Sequence, residues 1–368
     1  MAAAAPKPPA PASRRNNIGT LRLAGALAVL FGHAFVLSSS GGRGHDPISD
    51  AVNDVSPFHL GLPGLGVAMF FAVSGYLVTQ SYVRRGSFVA YAEARLLRIY
   101  PALWLAIGLT IAVSALISTF PPGDFLSARP TVDYAIGGAS LLDLHYFLPG
   151  VFTDNPRAAV NGSLWTLPVE LRMYLFVGIA GVIGMLGRRV LFNLALIAIV
   201  AVAAIWPEHM PLLAHHEQLE ISTFFLAGAV LFVNRERIPL TGIGVIALAT
   251  LTAALSWTAA FSLTFALSFS YAVMWFGLTS PVRLPDLAAK GDLSYGTYLF
   301  AFPVTQLWVA ALGPGKPLVI AALSAAVCLP LALASWRAVE APALRLKGRL
   351  SAITDRRVSY SRPGREAR

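Results

Sequence analysis

Ten stretches of helical length and nearly unbroken apolar composition run along the chain, at residues 19–39, 64–83, 99–119, 164–185, 190–206, 219–233, 240–257, 260–279, 293–312 and 317–336. A bilayer core about 30 Å thick takes roughly 20 helical residues to cross, and it tolerates no unpaired backbone facing lipid. The pattern predicts an all-α, polytopic integral membrane bundle of about ten transmembrane helices. Charged residues fill only 12% of the 368 positions, about half the share of a soluble domain.

The basic residues orient that bundle. Of 28 Lys and Arg, only Arg43, Arg129, Arg157 and Lys316 fall on one side of it. The others collect in the alternate loops and the two tails, apart from Arg172 within a span. The positive-inside rule then makes both termini cytoplasmic. The net charge of +10 follows from this topology. With no aromatic residues interleaved among the cations, no nucleic-acid partner is expected. Residues 1–17, rich in Ala and Pro, read as a disordered basic cytoplasmic tail, and 347–368 as a second. Residues 134–150 are apolar but short and interrupted, fitting a re-entrant or interfacial segment. The long outward loop 121–163 is a candidate lid or binding element. A single cysteine, Cys328, excludes disulfide and Cys-cluster metal chemistry within the chain. His209, His215 and His216 share one outward loop without metal-ligand spacing, so no metal site is assigned.

Ionisable groups inside the spans carry the chemistry. The first span holds Arg22 and His33, eleven residues apart and so within about 20° of one helical face. An intramembrane ionisable residue is a functional candidate, although a histidine bonded to a neighbouring helix explains His33 equally well. Glu170 lies in the fourth span, below Trp165 and on the same face as Tyr174. Counted by helical rise, His33 and Glu170 come out at about the same depth. Such a pair suits a general base with an orienting carboxylate, a structural ion pair or a proton relay. Arg84, Arg85, Arg95 and Arg98 cluster before Tyr100-Pro101, and Arg95 and Arg98 share a helical face that can clamp an anion. They also fit topology determinants or lipid-headgroup partners. Ser74-Gly75 permits close helix approach. Asp292 is a candidate N-cap for the ninth span, where Tyr295, Tyr298 and Phe302 form an aromatic stripe. Arg337 and Glu340, at i and i+3, read as a surface pair.

Six motifs in order make the chain resemble membrane acyltransferase family 3, the multi-span O-acyltransferases of bacterial surface and secreted carbohydrates. They are LRLAGALAVLFGH (Arg22, His33), FFAVSGYL (Ser74), RLLRIYPALW (Arg95, Arg98), SLWTLPVEL (Trp165, Glu170), GDLSYGTYLFAFP (Tyr295, Tyr298) and WRAVEAPALR (Arg337, Glu340). The resemblance covers residues 18–346 and implies a membrane acyltransferase domain there. It departs at Ala301, where the family usually has a histidine two residues before the proline.

What the resemblance implies is transfer of an acyl group, most simply acetyl, from acyl-CoA to a hydroxyl of a sugar or glycoconjugate. This would be polysaccharide modification at the bacterial cytoplasmic (inner) membrane. Acetyl-CoA would be a donor substrate rather than a bound cofactor. His33 would be the general base oriented by Glu170. Arg95 and Arg98, with Arg84, Arg85 and Ser74, would hold the donor. Arg22, Trp165, Tyr174, Tyr295 and Tyr298 complete the substrate-binding set. The competing expectation is a proton-coupled transporter or lipid-linked sugar translocator that uses His33 and Glu170 as a proton relay.

Overall fold

Each of the ten apolar stretches contains a helix among its described residues. A computed structural model describes residues 16–39, 46–53, 61–205, 216–289 and 291–349. The long helices are α1 (Ile18–Ser38), α2 (Leu62–Arg85), α3 (Phe88–Ile117), α4 (Thr166–Val182), α5 (Arg189–Ile205), α6 (His216–Val233), α7 (Gly242–Ala254), α8 (Phe261–Leu278), α9 (Leu293–Leu312) and α10 (Pro317–Ser335). No strand occurs among the described residues. His209, His215, Arg43 and Lys290 lie outside them, as do the tails through residue 15 and from residue 350.

Among the described residues, six helices are long and apolar enough to cross a membrane: α1, α2, α3, α4 with its preceding turn, α8, and α10 with its extension to Leu344. Expected spans at α5 and α7 are shorter apolar helices. The 20-residue α9 carries Thr, Tyr and Gln among its buried positions. It is packed against α1, α3 and α10, so much of its surface meets protein and need not be apolar.

Local sequence explains several boundaries. Gly86, at φ +64°, ends α2 in the left-handed region, and the Ser87 side chain caps α3 by accepting from the Ala90 N–H at 3.4 Å. Helix α3 therefore begins eleven residues before the expected span, with Arg95 and Arg98 inside it. The 121–163 segment is not a structureless lid, because Pro122–Ser127 and Arg129–Ser140 are helical. Its final part docks on α9. Pro303 has no N–H for the Leu299 carbonyl, and Asn161 Nδ2 donates to that oxygen instead at 3.0 Å. Gln306 Nε2 donates to the carbonyls of Arg157 and Ala159, each at 2.6 Å.

Helices α2 and α6 approach through glycine. A Cβ on Gly75 would lie 1.9 Å from the Phe225 carbonyl oxygen, and one on Gly228 would lie 2.1 Å from that of Ala72. The close-approach reading of Ser74-Gly75 is thus realised at Gly75. That contact leaves the neighbouring Ser74 on the other side of α2, in the cavity described next.

Candidate active site

Helices α1, α2, α3, α4 and α9 enclose a cavity of about 310 Å³, completed by the chain beyond α10. Its wall runs about 16 Å along α2, from Val67 to Val78, by helical rise. The arginine-rich end is bordered by Arg22, Arg95, Arg98, Asp292, Trp336, Leu344 and Lys347, and the far end by Phe70, Thr166 and Tyr298. Ser74, Glu170, Tyr174 and Tyr295 lie between. Thus Arg22, Ser74, Arg95, Arg98, Glu170, Tyr174, Tyr295 and Tyr298 meet in one place. Arg84 and Arg85 are exposed off the wall, and Trp165 is half-buried in the turn Gly162–Trp165.

Two arginines are already neutralised. Asp292 caps α9, with Oδ1 accepting from the Ser294 N–H at 3.2 Å and its hydroxyl at 2.5 Å. Its Oδ2 pairs with Arg22 and, at 2.6 Å, with Arg98 Nη2. Burial would raise the Asp292 carboxyl, but Arg98 and Arg22 overcome it and hold the group well below the usual carboxylate range. Arg98 Nη1 also reaches Glu340 Oε2 at 3.2 Å. Glu340 is only 2% exposed, and its Oε1 accepts from Ser335 Oγ. The expected surface pair between Arg337 and Glu340 does not form. The chain leaves α10 through a π-helical turn, Trp336–Glu340. Its wider spacing sets Arg337 outward while Trp336 and Glu340 turn toward Arg98.

Arg95 is differently placed. Its Nη2 touches Ser81 Oγ at 3.5 Å, and its guanidinium lies 5.7 Å over the Tyr174 ring. Its Nε is buried with no hydrogen-bond partner among the described residues. No carboxylate there pairs with it. Glu170 accepts from the Tyr174 hydroxyl and from Ser74 Oγ at 3.3 Å. Both bonds fall on Oε1, which leaves Oε2 available to a ligand in the cavity.

His33 stands beyond the far end and is not in the cavity wall. Its Nε2 is 3.2 Å from Ser163 Oγ, and its ring meets Phe302 edge-on at 5.0 Å. Ser163 precedes Glu170 by seven residues, roughly 10 Å of helix. His33 and Glu170 share no hydrogen bond among the described residues, and the equal depth expected from residue counting does not hold. Those counts began at opposite faces, and the contact with Ser163 puts His33 about two helical turns from Glu170 along this segment. A polar layer lies between them. The Tyr298 hydroxyl donates to the Ser163 carbonyl at 2.7 Å and lies 2.5 Å from Thr166 Oγ1. Ala301, at the family's usual histidine position, is fully buried beside Phe302.

Sequence reading missed Ser163, Thr166 and Lys347 and assigned no site role to Asp292 or Glu340. Ser163 sat unremarked inside a quoted motif. Lys347 lay in the stretch read as a disordered tail, yet the described chain continues through Arg349 and carries Lys347 into the wall.

A family model described as an acyltransferase domain matches residues 15–337. The chain belongs to acyltransferase family 3. An O-acetyl transferase of Shigella phage Sf6 is 27% identical over 340 residues, spanning 89% of this chain and 95% of that one. Nodulation protein 10 of Rhizobium leguminosarum bv. viciae is 28% identical over 378 residues, spanning 94% and 97%. No solved structure matches. In a multi-pass membrane acyltransferase, the cavity joins an unneutralised guanidinium at one end to hydrogen-bonding groups deeper in. That arrangement can hold an anionic head and pass a slender arm inward.

Proposed function

We propose that this acyltransferase moves an acetyl group from acetyl-CoA to a hydroxyl of a carbohydrate or glycoconjugate. One observation carries the donor side: Arg95, without a carboxylate partner, borders a cavity that leads inward past Glu170. The nucleotide phosphates would sit at the arginine-rich end and the pantetheine arm would extend toward Tyr298. Glu170 Oε2 would accept from an amide N–H of that arm. Acetyl as the group and oxygen as its acceptor are supported by the name of the phage relative, an O-acetyl transferase. The carbohydrate is supported by the six-motif resemblance.

His33 is the proposed general base, removing the proton from the acceptor hydroxyl as it attacks the thioester carbonyl, with CoA thiol as leaving group. In this arrangement Ser163 orients the imidazole, while Glu170 serves the donor. Transfer then requires the Thr166–Tyr298–Phe302 layer to part, so that the acyl carbon reaches the His33 side. The topology that suits this reading has ten spans and both termini in the cytoplasm of a bacterium. The donor then enters from the cytosol across the inner membrane's inner face.

The test is acyl transfer and CoA release in membranes given labelled acetyl-CoA. Wild type should release CoA and label glycans, and His33→Ala should do neither at unchanged expression. Full activity in His33→Ala refutes the base. A wild type that releases no CoA refutes the donor.

A further inference from the structure

The cavity wall carries a second cation that forms no ion pair among the described residues. Beyond the π turn the chain runs through a short helix, Ala341–Leu344, and then turns so that Leu344 and Lys347 enter the cavity wall. Gly348 follows at φ +89°, and its N–H donates to Glu93 Oε2 at 3.0 Å. That bond pins the segment to α3 one half-turn from Arg95. Arg22 and Arg98 are committed to Asp292 and Glu340, whereas Lys347 has no carboxylate partner among the described residues.

We propose that Lys347 is a phosphate ligand of this active site, its ammonium closing the cavity mouth and, together with Arg95, gripping a phosphate of the acyl donor. The inference rests on the acyl-CoA reading above and adds a residue to it. Two cations left facing one cavity gain by sharing an anion, through charge-assisted hydrogen bonds. Burial and the nearby guanidinium groups of Arg95, Arg98 and Arg85 lower the Lys347 ammonium to about 8. The other ionisable groups of the cavity wall are Arg22, Glu170, Asp292, Tyr174, Tyr295 and Tyr298, and Glu93 anchors the neighbouring backbone.

The experiment is equilibrium binding of CoA and of pantetheine, which has no phosphate, to the purified full-length protein. Lys347→Gln should weaken CoA about tenfold or more, the worth of one hydrogen bond to a charged group. Pantetheine should bind it as it binds wild type, and Lys347→Arg should restore CoA. Wild-type affinity for CoA should fall as pH rises through about 8, and the Lys347→Gln profile should lack that step. Unchanged CoA affinity in Lys347→Gln overturns the proposal, including the case in which only a dependence on anionic lipid is lost, since Lys347 then holds a headgroup. Equal losses for CoA and pantetheine overturn it too, because they mark a purely structural role. A wild type that binds CoA in this Lys347-dependent way yet transfers no acetyl group sinks the proposed reaction alone.

Discussion

Replacing Asp292 by Asn separates the charge of this residue from its shape. The amide keeps an oxygen to cap α9 at Ser294 but no longer neutralises Arg22 and Arg98. The three side chains are 23%, 19% and 15% exposed for Arg22, Asp292 and Arg98, so water screens them little. Removing one partner of a fully buried pair costs about 3–5 kcal/mol. Arg98 keeps Glu340 at 3.2 Å, and the residual exposure lets solvent reach the cluster, which brings the expected loss to about 2–3 kcal/mol. Asp292→Ala should cost about 1 kcal/mol more, for the cap. The pH dependence has a definite sign. A carboxyl held below its unfolded value contributes its full stability above the unfolded pKa of about 3.9 and loses it as pH falls toward the folded one. The gap between wild type and Asp292→Asn should therefore be constant near neutrality and narrow below about pH 4. Equilibrium unfolding in mixed detergent micelles reads both quantities. A loss under about 0.5 kcal/mol at pH 7, or a gap that widens in acid, would refute the pairing.

Other outcomes follow from the same contacts. Gly75→Ala drives a methyl into the Phe225 carbonyl, which must retreat, and should cost about 1–3 kcal/mol in the same unfolding measurement. Asn161→Ala leaves the Leu299 carbonyl unpaired, at about 1–3 kcal/mol. Adding Pro303→Ala, which supplies a helical N–H to that carbonyl, should recover part of the loss, and a purely additive double variant would contradict the assignment.

Helix positions were legible because they depend on local spacing. The apolar run of residues 19–39 or 260–279 reads as a helix whatever surrounds it, and a run of basic residues before Tyr100 marks one end of the bundle without reference to any partner. The same locality placed Asp292 at a helix start. It brought Arg95, Arg98, Glu170 and the tyrosines of α9 into consideration, since each was conspicuous as a polar residue in an apolar setting.

What the chain order could not convey is which residues meet. His33 contacts Ser163 rather than Glu170, about two helical turns away, because the relative height of two helices is set by how they pack and not by residue counts from their ends. Arg98 finds Asp292 and Glu340 at separations of 194 and 242 residues, and Glu340 reaches it only because a π turn replaces the ideal spacing that joined it to Arg337 on paper. Lys347 looked like part of a solvated basic tail until the turn after α10 folded it into the cavity wall. Periodicity is a property of one helix. Depth, rotation and charge pairing belong to helices packed together, so the sequence by itself located the ten long apolar helices but not the short helices at Pro122–Ser127 and Arg129–Ser140, and only the tertiary structure decided which side chains share the cavity.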